Sequence, residues 1–158
     1  MDIKHKNSGH VIIIKDQAFK ANEAGRFDAT DVWQTLKLPK GKQPGKWKDT
    51  KKAKKLHETG NIGSVKVNRE THLMLSKRAF IAYAGWVSDE FEDMVYDAFE
   101  AILEMPEVAA LVADKMASLG NAHSADILKR HTFNDRCPFG DIKKLARRHQ
   151  RLAALKAR

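Results

Sequence analysis

The apolar positions in the first half of the chain predict four short strands. Val11–Ile14 is a compact run of β-branched residues, and a second short strand can follow Asp16. Residues 64–67 alternate between polar and apolar, residues 68–70 can turn, and residues 72–75 form a returning apolar run. The second pair of strands is therefore predicted to form a β-hairpin.

Capping residues and helix breakers predict the helices between these strands. Thr30 is the predicted N-cap of a short helix that Pro39 ends. Residues 40–45 contain two glycines and a proline, which predicts a loop. A longer helix is predicted over residues 47–59, with Gly60 as its stop.

Serine caps and regular apolar spacing predict the later helices. Ser76 is the predicted cap of a helix that ends near Gly85, and Ser88 opens an acidic helix. The apolar positions of the acidic helix have the strongest helical periodicity in the chain: Phe91, Met94, Val95, Ala98, Phe99 and Ile102. Pro106 interrupts this helix and begins a further one, which ends before Gly120.

A domain boundary is predicted between residues 101 and 120, because the composition changes beyond this region. Residues 131–140 carry the Asn, Pro and Gly of a loop, and Asp141 can cap a last helix that is basic on one face. We divide the chain into a first domain of residues 1–103 and a helical, basic C-terminal segment of residues 104–158.

The net charge of +9 at pH 7 is segregated along the chain. Residues 37–55 carry nine lysines and one acidic residue, whereas residues 86–107 carry eight acidic residues and neither Lys nor Arg. Residues 121–158 carry ten basic and three acidic residues. Basic surfaces attract polyanions over long distances, which favours nucleic acid first, an anionic membrane second and an acidic protein third. Two basic surfaces separated by an acidic one indicate a face turned toward a partner.

Composition narrows the class of protein. With 158 residues, of which 42% are hydrophobic, the chain can build one ordinary core. No run approaches the roughly 18 apolar residues that span a bilayer, and residues 1–6 lack the apolar region of a secretory signal. Cys137 is the single cysteine, which excludes an internal disulfide and a thiolate zinc cluster. We therefore expect a reducing, cytoplasmic compartment and no membrane partner.

The lysines around Trp47 are the main candidate binding residues: Lys42, Lys46, Lys48, Lys51, Lys52, Lys54 and Lys55. Few carboxylates lie three or four residues from them, so little in the local sequence relieves their repulsion. A bound polyanion would neutralise them, although a solvated helix face is the alternative interpretation. Lysine is a point charge without the fork that reads guanine edges, so the pattern favours contact with phosphates. Five or six such contacts predict a slope of about −4 to −5 in log K against log salt.

Other basic and aromatic residues leave alternatives open. Lys66 and Arg69 of the hairpin could reach DNA as a wing does, or could be ordinary exposed charges. The three tryptophans, Trp33, Trp47 and Trp86, fit core anchors better than base-stacking platforms. The C-terminal basic residues are Lys143, Lys144, Arg147, Arg148 and Arg151. They could form a second DNA contact, an oligomerisation helix, or a helix that docks on the acidic one.

Candidate catalytic groups are few. The seven histidines show no H-x-x-x-H or H-E-x-x-H spacing, and the chain has no glycine-rich phosphate loop. His131 and Asn134 lie near Cys137 in sequence, but no carboxylate cluster for Mg²⁺ accompanies them. We therefore expect no enzymatic activity, no metal and no cofactor.

Two motifs give the chain a family resemblance. Ala29-Thr30-Asp31 precedes Trp47, and a second string follows it: Ala84-Gly85-Trp86-Val87-Ser88-Asp89-Glu90-Phe91. Over residues 9–103 the chain thereby resembles the KilA-N domain family, DNA-binding modules common in phages and large DNA viruses and related to fungal APSES domains. The resemblance implies an α+β fold of short strands and two pairs of helices, with the helical basic segment following it.

The same resemblance implies a function. A phage-type protein would bind double-stranded DNA and regulate phage or host gene expression, or interfere with a host process, in the host cytoplasm. The C-terminal helices would supply a second DNA contact or a homo-oligomer interface. The alternative function is a protein-interaction module that inhibits an acidic host protein.

Overall fold

The computed structural model describes residues 11–134 and Gln150, and the chain divides into two compact units, Met1–Val95 and Tyr96–Arg158. The last helix predicted from Asp141 and the predicted loop residues 135–140 lie outside the described residues. Each unit has its own hydrophobic cluster among the residues described.

The first unit contains two small antiparallel sheets. The strands are β1 (Val11–Ile14), β2 (Gln17–Lys20), β3 (Phe27–Asp28), β4 (Ile62–Val67) and β5 (Glu70–Leu75). β1 pairs with β2, and the second sheet has the order β3-β5-β4. The four predicted strands are confirmed, and β3 is an addition that the sequence pattern did not indicate.

The β4–β5 hairpin closes through a two-residue turn. Its central residues, Asn68 and Arg69, have φ angles of 47° and 70°. Positive φ at both positions gives the turn a twist that matches the twist of the strands, and asparagine tolerates this conformation well. The turn therefore fixes the register, in which Val67 lies opposite Glu70 and Ser64 opposite Leu73.

The helices of the first unit differ from prediction at two places. They are α1 (Ala29–Thr35), α2 (Pro44–Lys48), α3 (Lys51–Glu58), α4 (Lys77–Val87) and the first part of α5 (Asp89–Glu104), with a 3-10 turn at Lys40–Lys42. The predicted N-cap at Thr30 is wrong, because the Asp28 carboxylate accepts the backbone N–H of Thr30 at 2.8 Å. The Thr30 hydroxyl instead accepts the N–H of Leu73 at 3.2 Å and so ties α1 to β5.

The single helix predicted over residues 47–59 is also wrong, since the chain breaks it into α2 and α3. Thr50 is extended at the break, and its hydroxyl accepts the N–H of Ala53 at 3.2 Å as the N-cap of α3. α2 begins at Pro44, so part of the predicted loop 40–45 is helical. Proline suits this position because the first turn of a helix does not use its N–H.

The predicted serine caps are confirmed. The Ser76 hydroxyl accepts the N–H of Ala79 at 3.2 Å at the start of α4. The Ser88 hydroxyl accepts the N–H of Phe91 at 3.2 Å at the start of α5. Each cap satisfies a backbone donor that the first turn of a helix leaves without a partner.

Aromatic side chains fill the core of the first unit. Phe27 stacks on Phe80 with ring centroids 4.4 Å apart, and Trp47 meets Tyr83 edge-on at 5.4 Å. Trp47 is only 1% exposed, while Trp33 and Trp86 are half-buried against the same cluster. Trp47 is thus a core residue that anchors α2 on α4, whereas Trp33 and Trp86 pack against the core and keep part of their surface exposed.

The second unit contains the rest of α5 with α6 (Pro106–Ser118) and α7 (Ala122–Asn134). Ala113, Ala125 and Leu128 form its buried cluster among the described residues. The predicted helix from Pro106 is confirmed, and Gly120 follows it with a φ of 86°. The loop predicted to start at His131 is wrong for residues 131–134, which extend α7.

Candidate nucleic-acid interface

The four lysines of α3 are all exposed and lie on one broad arc. Ala53 is fully buried and Leu56 half-buried, which defines the inward side of the helix. Successive residues of a helix are rotated by about 100°, so Lys51, Lys54 and Lys55 lie within about 50° of the direction that points away from Ala53 and Leu56. Lys52 lies at the edge of the arc, beside Leu56. α3 therefore carries three outward ammonium groups and one lateral group.

Carboxylates of the described residues do not neutralise this cluster. In residues 11–134, the ion pairs within 4.0 Å join His72 to Asp28, Lys129 to Asp114 and Arg130 to Asp126. None of them involves a lysine of residues 37–55. The mutual repulsion of these lysines is therefore unrelieved by direct pairing within the described part of the chain.

Two further lysines extend the surface onto α2. Lys46 and Lys48 are exposed on either side of the buried Trp47. Pro44 is also buried, so two apolar side chains hold this five-residue helix on the core. The positions of Lys46 and Lys48 are therefore set by packing rather than by helix propensity, which is weak in so short a segment.

Lys42 differs from the other lysines because its side chain is engaged within the protein. Its Nζ donates a hydrogen bond to the Trp86 carbonyl and lies 4.7 Å from the centroid of the Trp86 ring. Its own carbonyl accepts the Tyr83 hydroxyl at 3.0 Å. Burial raises the pKa of the Tyr83 phenol well above its usual 10.0, so this donor stays protonated. Lys42 thus joins the segment before α2 to the last turn of α4.

One face of the β4–β5 hairpin continues the surface. Ser64 lies opposite Leu73 and Lys66 opposite Thr71, and alternate residues of a strand point to the same face. These four side chains therefore share one face, with Leu73 buried and Lys66 exposed nearer the turn. Arg69 is exposed in the turn itself.

A groove of about 340 Å³ lies between α1, the start of α2 and this hairpin face. Trp33 and Leu73 line it together with Pro44 and Gly45. The polar side chains in its lining are those of Thr30, Gln43, Lys48, Ser64 and Thr71, and no acidic residue among those the structure describes lines it. The groove therefore combines apolar surface with neutral hydrogen-bonding groups and one positive charge.

The indole of Trp33 is held in place at this groove. Its Nε1 donates to the Pro39 carbonyl at 3.2 Å, which satisfies its only polar atom. Gln43 precedes α2 as its N-cap residue but does not cap the helix with its side chain. The groove thus offers a fixed aromatic group and an amide that the helix terminus does not use.

The groove residues Gln43, Ser64 and Thr71 were not among the sequence candidates. Strand alternation could have placed Ser64 and Thr71 with Lys66, but no local pattern connects them to Gln43. The other candidates, Lys143, Lys144, Arg147, Arg148 and Arg151, lie outside the described residues.

Two other kinds of site, a metal centre and a membrane span, are absent from the described residues. In this part of the chain, no three or more His, Cys, Asp or Glu side chains come together as metal ligands could. Among the same residues, no helix has the length and apolarity to cross a membrane.

Comparison with known protein families identifies the family of the chain. The sequence model of the KilA-N domain family matches residues 5–105, which is well over half of the chain. No curated protein and no solved structure matches the chain. The family resemblance drawn from the two sequence motifs is confirmed, as is the α+β fold of small sheets and helices.

Proposed function

The chain belongs to the KilA-N family of DNA-binding domains, and from this premise we propose that it binds double-stranded DNA by docking the lysines of α2 and α3 on phosphates. The exposed lysine cluster without carboxylate partners among the described residues carries the proposal. Phosphates would supply the missing negative charge, and release of their counterions would drive binding.

The proposed phosphate contacts are Lys46, Lys48, Lys51, Lys52, Lys54 and Lys55, with Lys66 and Arg69 of the hairpin as a flanking wing. Lys42 takes a structural part in this proposal, because its ammonium group is already used at Trp86. Lysine contacts of this kind fix the position of a protein on DNA without reading its sequence.

The biological role that we propose is regulation of gene expression by a phage-type protein. Lys143, Lys144, Arg147, Arg148 and Arg151 would supply a second DNA contact or an assembly interface. Inhibition of an acidic host protein is the competing role. Gene regulation requires affinity for DNA, whereas inhibition of a protein does not.

Fluorescence anisotropy with a labelled DNA duplex tests the proposal. Affinity should fall with salt along a slope of about −5 in log K against log salt, since each of the six proposed lysine contacts contributes about 0.9. An unlabelled single strand should compete less well than the unlabelled duplex. Absence of binding at low salt, or a slope near zero, would reject DNA docking and favour the protein-interaction role.

A further inference from the structure

The groove beside Lys48 has a composition that phosphate docking does not require. Its volume of about 340 Å³ is within the range of small-ligand sites, roughly 300–1,000 Å³. Such sites combine apolar and aromatic walls with a few polar groups that fix the orientation of the ligand. Here Trp33 and Leu73 supply apolar wall, while Gln43, Ser64 and Thr71 supply neutral donors and acceptors.

The charges around the groove select an anionic occupant. Lys48 lines it directly, and within residues 11–134 no acidic side chain does. Lys66 lies on the same hairpin face, directly opposite Thr71 and two residues nearer the turn than Ser64. The hairpin face thus changes from the Ser64–Leu73 pair, which is apolar on one strand, to the Thr71–Lys66 pair, which adds a positive charge. An occupant with a flat apolar body, polar edges and a neighbouring phosphate matches this order.

We propose that the groove binds one unpaired nucleotide of a DNA strand held on the lysine surface. The base would lie against the apolar wall that includes Trp33, and its polar edge would meet the Gln43 amide and the Ser64 and Thr71 hydroxyls. Lys48 would contact the adjoining phosphate. This inference rests on the proposed function, because the lysines must first hold the strand.

The fixed indole makes the site suitable for stacking. Its hydrogen bond to the Pro39 carbonyl holds Trp33 before any ligand arrives, so little freedom is lost on binding. Stacking of one base on an aromatic side chain strengthens binding by about fivefold to 150-fold. Extraction of a base from a paired duplex offsets such a gain, whereas a base that is already unpaired does not have to be extracted.

The first experiment compares two labelled duplexes that differ by one unpaired adenine in the centre of one strand. The bulged duplex should bind the full-length protein at least about fivefold more tightly at the same salt concentration. With 2-aminopurine as the unpaired base, its fluorescence should fall on binding as the base stacks. Free deoxyadenosine monophosphate, at the same concentration as the DNA, should bind negligibly, since it lacks the flanking phosphates.

Two variants with one added aromatic ring locate the site. Ser64→Phe fills the groove from an exposed strand position, and should remove both the preference and the fluorescence change. Val65→Phe puts the same ring on the opposite face of the hairpin and should leave both intact. Both variants should retain the salt slope, because neither removes a lysine.

The outcomes separate this inference from the proposed function. Equal affinity for the paired and bulged duplexes, with the expected salt slope, overturns the nucleotide site and leaves DNA docking in place. If Ser64→Phe still prefers the bulged duplex, the nucleotide site is also overturned, because the protein would then recognise the bend of that duplex. If the protein binds neither duplex, or binds them with an affinity that does not depend on salt, the docking proposal itself is rejected.

Discussion

Neutralising the outward lysines of α3 is the most direct perturbation of the proposed interface. The triple variant Lys51→Gln, Lys54→Gln, Lys55→Gln removes three exposed charges that face away from Ala53. Glutamine and lysine have similar helix propensities, and no ion pair of the described residues involves these lysines. The fold should therefore be retained while the charge is lost.

The expected loss of DNA affinity follows from counterion release. Each phosphate contact contributes about 0.9 to the slope of log K against log salt, so three lost contacts reduce its magnitude by about 2.7. At about 0.15 M salt this corresponds to roughly 150-fold weaker binding, or about 3 kcal/mol. Loss of a single lysine should reduce the slope by about 0.9.

The assay measures anisotropy of a labelled duplex at four or more salt concentrations. A matched control removes three exposed lysines elsewhere, with Lys15→Gln, Lys20→Gln and Lys115→Gln. Both triple variants lower the net charge from +9 to +6, so long-range attraction changes equally. Circular dichroism of both variants checks that their helix content is unchanged.

The control should keep nearly the full slope, because its lysines are not among the proposed contacts. If both triple variants lose the same slope, net charge rather than a docking surface explains the binding. If the α3 variant keeps the wild-type slope, α3 does not face the phosphates and the reasoning about this surface is refuted.

Three further predictions concern the scaffold. Lys42→Met removes the hydrogen bond to the Trp86 carbonyl and the contact with its ring, so urea denaturation should show a loss of about 1–2 kcal/mol with an unchanged salt slope. Asp28→Ala removes both the α1 cap and the carboxylate that lies 2.6 Å from His72, so urea denaturation should show a loss of about 1–2 kcal/mol in the free energy of unfolding. Asp28→Asn can still cap the helix and should lose less. Burial raises the pKa of Tyr83 above 10.0, so the unfolded chain releases this proton at lower pH than the folded one and stability should decline as pH rises past 10.0. In Tyr83→Phe, the free energy of unfolding should fall less steeply above pH 10.0 than in the wild type. An equally steep fall in both proteins would show that Tyr83 does not cause it.

The parts of the fold that could be predicted depend on local signals. Asn68 permits the positive φ of the hairpin turn, and Ser76 and Ser88 cap helices through N–H groups three residues away. The Thr30 assignment failed because Asp28 and Thr30 are both good caps, and pairing of β3 with β5 decides between them. Local sequence contains no information about that pairing.

The break between α2 and α3 has a different cause. At about 100° per residue, a continuous helix would point Trp47 about 120° away from Ala53 and about 180° away from Leu56, so the apolar positions do not share one face. The structure extends the backbone at Thr50 and buries both Trp47 and Ala53. The break therefore turns Trp47 and Ala53 toward the same core, although a continuous helix would point them in different directions.

The groove could not be predicted because its residues are distant in sequence. Trp33 lies on α1, Gln43 precedes α2 and Ser64 lies on β4, and only tertiary packing brings them together. The engagement of Lys42 at Trp86 likewise joins positions 44 residues apart. Sequence reasoning therefore grouped Lys42 with its neighbours by charge, although its partner lies on another helix.

The burial of Trp47 has a consequence for the thermodynamics of any complex. An indole inside the core keeps the short helix around it ordered in the free protein, so its charged neighbours do not have to fold when a partner arrives. Association should then bury little additional apolar surface and produce only a small change in heat capacity. In this respect the domain would meet its partner as a rigid body, unlike basic tails that become structured on contact.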